Sequence, residues 1–71
     1  MEQEVLDRVG TLKGKMFSVQ LHQDELLYHI GVNNTTFARV QKGIASKEKT
    51  NEVLSKAESY VNELWEARHE Q

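Results

Sequence analysis

Apolar residues recur along this chain at steps of three and four, the spacing of one helix face. Val5, Val9, Leu12 and Met16, with Leu6 beside them, predict a helix over about residues 2–17. Gly10 and Gly14 fall inside it, each costing about 1 kcal/mol relative to Ala. A kink or a frayed start is therefore expected, or a start delayed to Thr11, which could act as a cap. Phe17 to Leu21 reads as a connector with its apolar side chains turned inward. Leu26, Leu27 and Ile30 form the apolar side of a second helix from Gln23 to Ile30. Asp24 and Glu25 stand in its first turn, where carboxylates complement the helix dipole. Gly31 supplies the positive φ of a C-terminal turn, and Asn33 is a favoured N-cap for a third helix. Phe37 and Val40 point that helix inward, and Gly43 ends it. Ile44 is expected to return to the core, followed by an exposed basic loop from Ala45 to Lys49. Thr50 or Ser46 can cap a last helix bearing Val53, Leu54, Ala57, Val61, Leu64 and Trp65, with Tyr60 at the stripe's edge. Running to about residue 69, it would be near 30 Å long. The pattern predicts an all-α fold: a four- to five-helix bundle with a long C-terminal helix, one domain over 1–71.

Composition narrows the function. Seventy-one residues leave no room for two lobes around a substrate cleft, so an enzyme is not expected. No Cys is present, which rules out a disulfide framework or thiolate metal site. His22, His29 and His69 lack a carboxylate at ligand spacing, and no cofactor is implied. No apolar run approaches the roughly 20 residues needed to span a bilayer. The first ten residues lack a signal peptide's basic start and apolar block. The expectation is a cytoplasmic protein with no membrane partner.

The formal charge of -2 is unevenly spread. Both ends are acidic, whereas residues 33–50 carry Arg39, Lys42, Lys47 and Lys49 against Glu48 alone. The one basic stretch thus coincides with the third helix and the loop after it. Two short helices joined by a tight Gly turn make a helix-turn-helix unit, here about 23–42, whose second helix can enter a DNA major groove. With Phe37 and Val40 inward, Thr35, Ala38, Arg39 and Lys42 fall on the outward side, and Asn34 at the N-terminal tip. Arg suits guanine, Asn suits adenine, and Thr suits a thymine methyl or a phosphate. Lys47 and Lys49 would track phosphates.

Residues 23–43 resemble the lambda-repressor-like family of helix-turn-helix proteins, which includes phage repressors, their Cro-type antagonists and small bacterial regulators. Leu26, Ile30, Phe37 and Val40 match its core positions, Gly31-Val32 its turn, and Lys42-Gly43 its closing pair. Asn33-Asn34-Thr35 stands at the start of the recognition helix. The resemblance implies that Gln23 meets a phosphate and braces that helix. It also implies a bacterial host, double-stranded DNA as partner and a homodimer on two half-sites. Leu27 departs from the family's usual Ala, Val40 from its Trp or Leu, and His22 from its Ser or Thr cap.

A rival expectation comes from the acidic C-terminal helix. Glu63, Leu64, Trp65 and Glu66 could form a contact with another regulator, the chain acting as an antirepressor. Trp is enriched in binding hot spots. The alternative for Trp65 is packing against Val5, Leu6 or Val9.

Overall fold

Three of the four helices end in the same left-handed turn. The structure, a computed structural model, describes residues 3–69. Its helices are α1 (Gln3–Ser18), α2 (Gln23–Ile30), α3 (Asn34–Lys42) and α4 (Lys47–His69). Gln20, Gly31 and Gly43 have φ of 58°, 70° and 76°. After each, the next residue's N–H reaches back over the helix end: Leu21 to the Met16 carbonyl at 2.9 Å, Val32 to Leu27 at 3.1 Å, and Ile44 to Arg39 at 3.0 Å. These bonds satisfy carbonyls that the helix itself leaves unpaired. Glycine adopts this conformation freely at Gly31 and Gly43; at Gln20 a side chain sits in it.

The helix starts are as local. Asn33 caps α3, its Oδ1 accepting the Thr36 N–H at 2.7 Å. Ser46 caps α4, its Oγ accepting the Lys49 N–H at 3.1 Å. Lys47 to Lys49 therefore form the first turn of α4 and not the expected loop. Thr50 lies buried within that helix. His22 makes no side-chain cap bond at the start of α2. α1 is continuous through Gly10 and Gly14, so the late start at Thr11 is not adopted; Glu2 lies outside the described residues.

α4 packs against all three other helices. It runs parallel to α1, because contacts advance together along both. Arg8 meets Asn51, Ser55 and Glu58, while Lys15 meets Asn62 and the Trp65 ring. Leu12 and Met16 from α1, Leu26 and Leu27 from α2, Phe37 and Val40 from α3, and Val53, Leu54, Ala57 and Val61 from α4 form one buried cluster. Burying a side chain of this kind contributes about 1.5–3 kcal/mol. At 23 residues α4 is about 34 Å long, against a longest molecular dimension of 39 Å.

Two apolar residues expected inside are outside. Phe17 is 86% exposed and Ile44 68%. Phe17 follows Met16 by one residue, which is about 100° round the helix; Met16 takes the inward position. Ile44 donates its N–H into the turn that closes α3, and it is the next residue, Ala45, that packs on the core. Trp65 is half-buried near Lys15, whose Nζ lies 5.9 Å from the ring centroid. The parallel arrangement puts Val5, Leu6 and Val9 beside the start of α4, far from Trp65. Among the described residues, no helix is long and apolar enough to cross a membrane.

Candidate nucleic-acid interface

Phe37, 1% exposed, and Val40, fully buried, fix the rotation of α3. That rotation leaves Asn34, Thr35, Arg39 and Lys42 exposed. Thr35, Arg39 and Lys42 lie within about 60° of one another on the side opposite the core. Ala38 departs from the expected outward position: it is half-buried, at the edge of this face. Asn33 is exposed, but its Oδ1 is committed to the Thr36 N–H, leaving only its amide nitrogen uncommitted. Gln23 is exposed at the first residue of α2.

The cations of this region are arranged in two ways. Arg39 and Lys42 stand in the last turn of α3, where positive charge complements the helix dipole. Lys47 and Lys49 stand in the first turn of α4, the end where the dipole disfavours positive charge. Ser46 supplies the cap there, and Glu48 is the acidic residue of that turn. Lys49 lies 3.9 Å from Glu52, an exposed pair that contributes little. The side chains of Arg39, Lys42 and Lys47 make no hydrogen bond or ion pair among the described residues.

Arg8 is the opposite case, and sequence reading missed it. Its Nε and Nη2 donate to the two Glu58 oxygens at 3.0 and 2.9 Å. Nη1 donates to Asn51 Oδ1 at 3.1 Å, and Nη2 also approaches Ser55 Oγ at 3.4 Å. The hydrogen bonds to Glu58 raise the guanidinium pKa further against the cost of desolvation. Fifty residues separate the partners, so no local spacing pairs them. Arg8 lines an open groove of about 570 Å³ together with Val5, Glu4, Gly43, Lys47 and Glu48. Charges of both signs share this groove, and its guanidinium is already satisfied.

A second, shallower groove runs along the α2–α3 turn past Asp24, Tyr28, Val32 and Asn34. Tyr28 projects there, 84% exposed. His29 stacks on Tyr60 with centroids 4.7 Å apart. No group of three or more metal-ligating side chains converges among the described residues. On the acidic side, Glu63 and Glu66 are exposed, whereas Leu64 and Trp65 are half-buried. Trp65 thus already packs within its own chain.

No protein-family model, curated protein or solved structure matches this chain.

Proposed function

We propose that this chain is a small DNA-binding transcriptional regulator in which α2 and α3 act as a helix-turn-helix pair. α3 enters the major groove, with Arg39, Asn34 and Thr35 reading base edges and Lys42 meeting the backbone. Gln23, Lys47 and Lys49 hold phosphates on either side. The observation that carries this reading is the set of cations without internal partners, Arg39, Lys42 and Lys47, gathered on α3 and the start of α4. The protein would act sterically, by occupying a site that polymerase needs. A role in the cytoplasm of a bacterial host, as a phage or mobile-element regulator, is what the resemblance of residues 23–43 implies.

Selection from a random duplex library, followed by gel-shift titration over a salt series, tests the proposal. A recovered motif and an affinity that falls with salt are expected, with a log–log slope of about -3 to -4 for four or so phosphate contacts. Absence of any shift at low salt would refute it.

The exposed Glu63 and Glu66 favour one second reading, an antirepressor that binds a basic partner protein. Glu63→Lys with Glu66→Lys separates the two. A DNA binder tolerates the added charge or binds non-specific DNA more tightly; an antirepressor loses affinity for its repressor through like-charge repulsion.

A further inference from the structure

Among the described residues, the large apolar side chains left on the surface include Leu6, Phe17, Tyr28 and Ile44. Ile44 differs from the others in its surroundings. It is 68% exposed and stands in the chain between Lys42 and Lys47, whose side chains make no hydrogen bond or ion pair among the described residues. The two bonds that close α3 hold its backbone: the Gly43 N–H donates to the Val40 carbonyl at 3.1 Å, and the Ile44 N–H to that of Arg39 at 3.0 Å. With Gly43 at a φ of 76°, this is the turn in which the residue after the glycine commonly lies over side chains of the last helical turns, here Ala38 and Arg39. Gly43 and Ala45, on either side of it, line the groove beside α1, and Ala45 packs on the core; Ile44 does neither. A β-branched side chain on a fixed backbone has few rotamers to lose, so presenting it to a partner costs little entropy.

We propose that Ile44 belongs to the DNA interface and packs on a deoxyribose of the strand whose phosphates Lys42 and Lys47 hold. The inference rests on the helix-turn-helix reading of α2 and α3 and extends that face past the end of α3. Charge and position select the occupant. An apolar side chain with an unpaired cation on either side matches a partner that alternates negative charge with carbon–hydrogen surface. A nucleic-acid strand does so, phosphate then sugar. Base edges match less well, because a recognition helix meets them with its N-terminal residues, and Ile44 lies beyond the C-terminal end of α3. Contact with a sugar carries no sequence information and releases no counterion. It therefore adds the same increment of affinity to every duplex at every salt concentration.

Gel-shift titrations of the full chain and of Ile44→Ser test it, on the duplex recovered by selection and on an unrelated duplex of equal length, over a salt series. Ile44→Ser should weaken binding to both duplexes by the same factor, about five- to tenfold, as for an isoleucine buried in part. Its log–log salt slope should equal the parent's, whereas Lys42→Ala and Lys47→Ala should each flatten the slope by about 1. Ile44→Val should bind like the parent. Circular-dichroism melts should match the parent, and Ile44→Thr, which keeps the branch at Cβ, should show the same loss should Ser unsettle the turn. Unchanged affinity of the folded variants would overturn the proposal while leaving the DNA reading intact. A loss confined to the selected duplex would overturn it too, as would a changed salt slope, which would trace the effect to the lysines. Replacing the selected duplex's thymines by deoxyuridine should cost the parent and Ile44→Ser equally; a cost to the parent alone would assign Ile44 to a thymine methyl and overturn the sugar contact. No shift of the parent at low salt would refute the DNA reading itself, and this inference with it.

Discussion

Two arginines in this molecule lead opposite lives. Arg8, in the seam between α1 and α4, spends its guanidinium on Glu58, Asn51 and Ser55. Arg39, on the outer face of α3, has no side-chain hydrogen bond or ion pair among the described residues. The same contrast holds for their neighbours: Lys15 bonds Asn62 in the seam, whereas Lys42 stands open. The difference shows why net charge is a poor guide here. The sum of -2 counts cations already neutralised by architecture together with cations still available to a ligand. Among the described residues, Arg39, Lys42 and Lys47 are cations of the second kind, close together in sequence on α3 and at the start of α4.

The severest way to test this contrast is to remove what positions the α3 face. Phe37→Ala should cost about 3–5 kcal/mol through lost burial and a residual cavity, approaching the whole stability of so small a domain. A thermal melt showing a midpoint within a few degrees of the parent would contradict the burial of Phe37. Next comes Arg39→Ala. It should leave stability within about 0.5 kcal/mol, as an exposed residue does. It should also weaken specific DNA binding by about 1–3 kcal/mol and relax one base position. Unchanged selectivity in the gel shift would take Arg39 out of the interface.

Arg8→Ala should behave in the reverse sense. Losing charge-assisted bonds in a half-exposed seam should cost about 1–2 kcal/mol in urea melts, below the full value of a buried pair. DNA affinity measured well below the melting point should stay put. If Arg8→Ala weakens DNA binding as much as Arg39→Ala, the division between the two regions fails. The smallest effect belongs to Gln20. A left-handed conformation costs a non-glycine residue about 1–2 kcal/mol, partly offset by the extra freedom of glycine in the unfolded chain. Gln20→Gly should therefore gain about 0.5–1 kcal/mol without touching either region. A destabilised variant in calorimetry would show that the Gln20 side chain has a role beyond the turn.

Sequence reading succeeded where the controlling chemistry was local. Gly31, Asn33 and Gly43 announce their turns and cap because a positive φ or a short acceptor is needed at one position. The inward stripes of α1, α3 and α4 come from spacing alone. It failed where a competitor decided. Phe17 and Ile44 are apolar, but Met16 and Ala45 hold the inward places. The end of α1 is legible to within one residue, about 17 against Ser18, but its left-handed turn is not, because Gln20 and not glycine makes it. Ser46 and Thr50 are both capping residue types, and a cap at Thr50 leaves Ala45 to Lys49 as loop; the bond from the Lys49 N–H to Ser46 Oγ decides for the earlier start. The Arg8–Glu58 pair could not be read at all, because it depends on how α1 lies on α4. For the candidate interface, spacing selected the outward positions well except Ala38, which sits at the margin between core and surface.

Because α1 and α4 run parallel, force applied through the start of one and the end of the other pulls them in opposite directions along their shared length. Arg8, Lys15 and the apolar residues between them would then be loaded together in shear rather than peeled one by one. α2 and α3 lie between the two long helices in sequence and stay outside that load path until the seam gives way. Under tension the molecule should accordingly yield in one abrupt step, with the α2–α3 pair released only afterwards.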